Sequence, residues 1–211
     1  MTATAVVSAL LPEQKATLRE RFDRIESMLD AGAVPGYDET LKQLDATLAG
    51  MRVLDPLVPW MELEIGGVAA DDHITQLEAA DVDVGTYAKS VMRHPSYKPG
   101  ERRTIALARC RVSDLGFTEA PTTPELLARV AQVAAVCPPE AAAHLRQALP
   151  EQPKGDWFSV MMEPIPDSDG RLFVLRVGRD DDGALYLHAR YADPGRRWGL
   201  GREVVVALRS K

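Results

Sequence analysis

Two hydrophobic periodicities alternate along this chain, and the switches between them mark its elements. Leu18, Phe22, Ile25 and Leu29 recur at spacings of four, three and four, which is one face of a helix. Pro12 and Glu13 suit the first turn of that helix, and Gly32, Pro35 and Gly36 end it. Asp38 can cap a second helix in which Leu41, Leu44 and Leu48 line up before Gly50. Residues 1–52 therefore read as a helical hairpin. Each helix carries only a narrow apolar stripe, so the pair needs a third surface, supplied by the rest of the chain or by a second copy of the hairpin. Self-association through these helices follows as an expectation.

The middle of the chain is less regular. Asp55, Pro56 and Pro59 read as a linker, and Trp60–Ile65 as a short strand before Gly66-Gly67. Asp71 or Asp72 can cap a helix bearing Ile74 and Leu77, and Val84–Met92 gives a second helix with Tyr87, Ala88 and Val91 on one face. Pro95, Pro99 and Gly100 then interrupt the pattern. Arg102–Val112 alternates as a strand does, and Asp114-Leu115-Gly116-Phe117 turns out of it. Thr123-Pro124-Glu125 joins a hydroxyl N-cap to Pro at the first helical position and an acid in the first turn, so a helix starts there. Another restarts at Cys137-Pro138-Pro139-Glu140 and runs through Leu145 and Leu149. Residues 61–92 and 109–149 thus share an order of strand, glycine turn, helix and helix, an order that αα-hairpins following strands also produce.

From Trp157 onward the period is two. Four strands are expected, Trp157–Glu163, Arg171–Val177, Ala184–Tyr191 and Glu203–Arg209, with Asp167-Ser168-Asp169-Gly170 and Asp182-Gly183 as the first two turns. The third connection, 193–201, is longer and carries Arg196, Arg197 and Trp198. Phe158, Val160 and Met162, with Phe173, Leu175 and Val177, with Leu185, Leu187 and Ala189, and with Val204, Val206 and Leu208, would form a core face. The opposite face would show Trp157, Met161, Arg176, Tyr186, His188, Arg190 and Arg209, alongside Leu172, Val174 and Val205. The expected fold class is α+β: an N-terminal helical hairpin (1–52), a central linker strand with short helices (53–100), and an α+β domain (101–211) ending in a four-stranded antiparallel meander.

Composition adds bounds. The chain has 211 residues, 45% hydrophobic and 27% charged, as globular proteins do. No apolar run approaches the roughly 18 residues needed to cross a bilayer, and no basic residue precedes the mildly apolar start, so neither membrane nor export is expected. Cys110 and Cys137 lack neighbours at metal spacing and read as reduced, buried thiols, which suits a cytoplasmic protein. The net charge of −6 is unevenly spread: residues 1–90 carry 7 Lys and Arg against 16 Asp and Glu, whereas residues 171–211 carry 9 against 5. A basic tail can receive an anionic partner, or simply neutralise the acidic front.

No catalytic signature emerges. Asp167-Ser168-Asp169-Gly170 resembles the start of a calcium loop, but the twelfth position from Asp167 is Gly178 in a hydrophobic strand, so a hairpin turn is the reading. His73, His94, His144 and His188 are scattered, Ser159 and Cys137 lack nucleophile contexts, and Gly66-Gly67 is no phosphate loop. No metal site and no cofactor are expected. The candidate binding residues are Arg176, Tyr186, His188, Arg190, Arg196, Arg197 and Trp198, because cationic and aromatic side chains on one sheet face can hold phosphates and stack on bases. The same pattern fits a solvated face, or one on which helices pack.

Val112-Ser113-Asp114-Leu115-Gly116-Phe117, Thr123-Pro124-Glu125-Leu126, Cys137-Pro138-Pro139-Glu140 with Leu145-Arg146, Gln152-Pro153-Lys154-Gly155-Asp156-Trp157, Met162-Glu163-Pro164-Ile165 with Asp167-Ser168-Asp169-Gly170, and Asp193-Pro194-Gly195-Arg196-Arg197-Trp198 resemble a family of bacterial proteins without an assigned activity. The resemblance covers about the C-terminal half and implies shared architecture there, with a more variable front end. The expected function is a non-enzymatic binding or adaptor protein, with a protein partner or a second copy of the chain, acting through the C-terminal sheet and the 193–201 loop. The alternatives are nucleic-acid binding through the basic C-terminal segment, and a small hydrolase or transferase whose site assembles from distant residues.

Overall fold

Uninterrupted β-branched and aromatic runs build the centre of one large sheet. The computed structural model describes residues 57–167 and 169–209, together with the helical positions Glu20, Asp23 and Arg24. Eight strands are present among them: β1 (Met61–Ile65), β2 (Val82–Val84), β3 (Arg103–Arg111), β4 (Trp157–Val160), β5 (Ile165–Pro166), β6 (Leu172–Arg179), β7 (Leu185–Tyr191) and β8 (Glu203–Ala207). Four α-helices accompany them: α1 (Ala70–Ala79), α2 (Thr86–Arg93), α3 (Thr123–Val133) and α4 (Ala141–Ala148), with a 3₁₀ turn at Val112–Leu115. The strand order is β1-β3-β8-β4-β6-β7-β2, with β5 alongside β6. β1 and β2 thus bring Met61–Ile65 and Val82–Val84 into the same sheet as the C-terminal strands, and Leu57–Lys211 forms one unit.

This corrects the expected architecture. The sheet is mixed, not a four-stranded antiparallel meander, because β8 pairs parallel with β4 and antiparallel with β3 instead of lying beside β7. Only a short turn forces consecutive strands to be neighbours, and Ala192–Arg202 is too long to do so. Once free, β8 goes where its composition fits: Val204, Val205 and Val206 are all fully buried, as a central strand covered on both faces requires. The predicted hairpin over 1–52 lies, apart from the three positions named, outside the described residues.

Smaller shifts have local causes. The first predicted strand stops at Val160, and Pro164 separates β4 from β5, which closes the Asp167–Gly170 turn against β6. Val82–Val84, read partly as helix, forms β2, parallel to β7 and seated between α1 and α2. Asp71 and Asp72 sit in the first turn of α1, whose N-cap is Ala69, so they act on the helix dipole and do not cap it. The N-cap of α3 is Thr122, one residue earlier than expected, where the Glu125 carboxylate accepts from the Thr122 N–H at 2.7 Å and its hydroxyl at 2.8 Å.

One side of the sheet is closed by helices. α2 packs on β7, α1 on β2, and α4 on β1, β6 and β7. Leu175, Val177 and Leu187 are buried there together with Ala88, Val91 and Leu145, and Tyr87 of α2 stacks on Phe173. No helix among the described residues is long and apolar enough to cross a membrane.

Candidate functional site

Register decides what meets on the other side. In β6 and β7, Val174 faces Arg190, Arg176 faces His188 and Gly178 faces Tyr186, while β4 sets Trp157 beside Gly178. Paired residues point the same way, so Trp157, Arg176, Tyr186, His188 and Arg190 share one face. Gly178 makes their approach possible, since a Cβ there would collide with the Tyr186 hydroxyl and come within 2.7 Å of Trp157 Cβ.

Trp157 is the hub. The Arg202 guanidinium lies 4.7 Å from its ring centroid, Arg176 at 5.2 Å and Arg190 at 5.7 Å. Arg176 also lies 5.0 Å from the Tyr186 ring, and Arg190 5.1 Å from that of Trp198. Tyr186 and His188 stack at 4.5 Å with 24° between planes. At the β2 margin His188 Nε2 meets Asp83 Oδ2 at 2.8 Å, a donor assignment that leaves Nδ1 to accept from Arg176 at 3.5 Å.

Charge in this cluster is uncompensated. Burial first, then the neighbouring Arg202, Arg196 and Arg176, push Arg190 down to about 10. Among the described residues, no carboxylate forms an ion pair with Arg176, Arg190, Arg196 or Arg202, and the Nε atoms of Arg176 and Arg190 are buried without a partner. Other arginines are treated differently. Arg109 is held by Asp156 and Glu203, Arg171 by Asp167 and Asp169, and Arg103 by Glu140. Four cations gathered without a counter-charge oppose folding, which sets them apart from a structural ion network.

The candidate residues named from sequence separate into three groups. Arg176, Tyr186, His188 and Arg190 come together, with exposed Arg196 close enough to act on Arg190. Arg197 turns aside and donates to the Ala120 carbonyl at 2.8 Å. Trp198 is 0% exposed and forms the floor, its Nε1–H donating to Thr123 Oγ1 at 3.0 Å, so it cannot itself meet a ligand. Arg202 was not among the candidates, and its absence has a cause. The meander assigned Val204 and Val206 to the core face with Val160, whereas the observed pairing puts Val204 beside Ser159 and Val205 beside Val160. With that phase, Arg202 falls on the face of Trp157.

Two other polar regions serve structure. His73 and His144, far apart in sequence, meet edge to face at 4.3 Å. His144 Nε2 accepts from the Gly66 N–H at 3.0 Å, and His73 contacts Gln147 Oε1 at 3.0 Å. Glu140, 1% exposed, receives Arg103 and the Gly100 N–H. Burial lowers both histidines, with His73 as a further cause for His144, which falls to about 4; both are neutral at pH 7, and His144 pins the Gly66-Gly67 turn while His73 packs against its ring. Asp167 accepts from Asp169 N, Arg171 N and the Arg171 guanidinium, so its carboxylate is fully occupied within the hairpin turn. Burial raises both thiols, Cys110 to about 12, which leaves them unreactive at pH 7. A groove of about 480 Å³ lined by Glu78, Asp81, Asp83, Arg179, Gly183 and Leu185 borders the cationic face at β2 and carries the opposite sign.

No family model, no characterised protein and no solved structure matches this chain. The functional argument therefore rests on its own residues.

Proposed function

We propose that this is a non-enzymatic binding protein that receives an anionic partner on the face formed by β4, β6, β7 and the 193–202 segment. The observation that carries the reading is the gathering of Arg176, Arg190 and Arg202 around Trp157, with Arg196 acting on Arg190 and no carboxylate partner for any of them among the described residues. An anion seated there offsets the repulsion that burial amplifies, so binding and stability are linked. Trp198 and Thr123 hold the floor rigid, which limits the ordering cost when a ligand arrives.

Thermal unfolding with tripolyphosphate, against sodium chloride of equal ionic strength, tests this. The expected result is a rise in Tm with the polyanion that the Arg190→Met, Arg202→Ala double variant loses. An equal rise in both proteins overturns the assignment.

A separate patch favours a second reading, an adaptor that binds protein. Tyr87 and Tyr191, 46% and 40% exposed, flank Phe173, and Arg171 lies 5.3 Å from the Tyr87 ring. Tyrosine with arginine is the composition of interface hot spots. On that reading Tyr87→Ala with Tyr191→Ala abolishes co-purification of a salt-resistant protein partner from the native host, and Arg190→Met leaves it intact. The reverse pattern overturns it.

A further inference from the structure

We infer that the anionic partner is single-stranded nucleic acid, with its phosphates on Arg176, Arg190 and Arg202 and its bases stacked on the exposed parts of Trp157 and His188; Tyr186, 2% exposed, is closed to a ligand. This rests on the anion-binding reading above and names its ligand.

Three observations select that chemistry. The first is interleaving. Arg176 contacts the rings of both Trp157 and Tyr186, Tyr186 stacks on His188, and Arg202 lies over Trp157, so flat cationic and flat aromatic groups alternate across the strands. Carboxylates need only the charge, whereas a chain of alternating phosphates and bases uses both kinds of group.

The second is how the guanidiniums are presented. An acidic peptide is held best by a guanidinium that offers two parallel N–H donors edge-on. The Nε atoms of Arg176 and Arg190 are buried, so the edge that includes Nε is closed and the terminal nitrogens remain. That leaves the edge carrying the two terminal nitrogens, which meets a phosphate as readily as a carboxylate, so it is the neighbouring ring faces that favour a ligand carrying flat bases.

The third is width. The face is bounded at β2 by Glu78, Asp81 and Asp83, whose sign repels phosphate. Between that margin and Arg202 lie β7, β6 and β4, a cationic track about 15 Å across at the usual strand spacing of about 4.8 Å. Such a track follows one backbone. The bases of a duplex are stacked on one another, so only a single strand can offer its base faces to Trp157 and His188 along this track.

Fluorescence anisotropy with the full chain tests the inference. The probes are a labelled mixed-sequence strand of about 15 nucleotides, as DNA and as RNA, its duplex, and labelled poly-L-glutamate of similar charge. Three phosphate contacts predict a slope of log K against log salt of about −2 between about 50 and 200 mM salt. Arg190→Met with Arg202→Ala is expected to flatten that slope to about −0.7. Trp157→Ala is expected to weaken the single strand about tenfold and leave poly-L-glutamate unchanged, and Trp157→Phe, which keeps a ring, to restore most of the loss. Poly-L-glutamate binding as tightly as the strand, or the duplex binding more tightly, overturns this inference and leaves anion binding standing. A strand that binds with no response to the arginine variants, or no binding of any probe, overturns both.

Discussion

Arg109 and Arg190 form a controlled pair. Both are half-buried, and both lie over two aromatic rings: Arg109 at 4.7 Å from Phe158 and 5.7 Å from Trp60, Arg190 at 5.1 Å from Trp198 and 5.7 Å from Trp157. Replacing either with Met keeps most of the aliphatic packing and removes comparable cation–π attraction, about 1–2 kcal/mol in total. What differs is the charge left behind. Arg109→Met strands Asp156 and Glu203 beside each other, and their side chains retain 20% and 33% exposure. The expected total cost is about 3 kcal/mol, toward the low end for breaking a buried pair because water still reaches these carboxylates. Arg190→Met instead relieves three neighbouring guanidiniums. The depression of Arg190 to about 10, caused first by burial and then by its neighbours, is equivalent to roughly 3 kcal/mol in a sealed site, and to about half that here, where the side chain is only half-buried. That relief offsets the lost cation–π attraction, so Arg190→Met is expected within about 1 kcal/mol of the parent. Urea unfolding at low ionic strength, with equal m-values required, reads both variants. Equal losses, or a larger loss at Arg190, would refute the reasoning, since they would place an acidic partner on Arg190.

Three further outcomes are expected. Gly178→Ala drives a Cβ into Tyr186 and Trp157 and should cost about 1–3 kcal/mol in urea unfolding, with loss of anion binding. Stability should fall on acidification from about pH 6.5 toward pH 4. His144 is lowered in the folded state, so its contribution is complete above the unfolded value and is lost as it charges; with solvent screening this amounts to on the order of 1–2 kcal/mol, and His144→Gln should flatten that limb of the profile. Trp198→Phe leaves the Thr123 hydroxyl without its indole donor and opens space under Arg190, a loss of about 1–3 kcal/mol by the same unfolding assay.

Local chemistry was legible in the sequence, and long-range pairing was not. The hairpin turns at Asp167–Gly170 and Asp182-Gly183 form, with Gly170 and Gly183 at φ 80° and 105°. The start of α3 is off by one residue, because Thr122 and Thr123 offer the same hydroxyl and only the reach of Glu125 decides between them. The partners of β8 could not be read from alternation, since a strand buried on both faces has none. The run Val204-Val205-Val206 was itself the sign of a central strand. That misplacement carried through to the site: Arg176, Tyr186, His188 and Arg190 follow from period two within one hairpin, whereas Arg202 depends on β8 meeting β4. The His73–His144 contact and the three-residue β2 are likewise products of tertiary pairing, with no local signal strong enough to announce them.

The most direct test of the central claim watches the guanidiniums themselves. In a nitrogen-15 NMR titration with tripolyphosphate at fixed ionic strength, the side-chain resonances of Arg176, Arg190 and Arg202 are expected to shift together and saturate. Those of Arg109 and Arg171, which already hold carboxylates, should stay in place. Uniform, unsaturable shifts across all five would contradict the account and return these arginines to the ordinary charged surface.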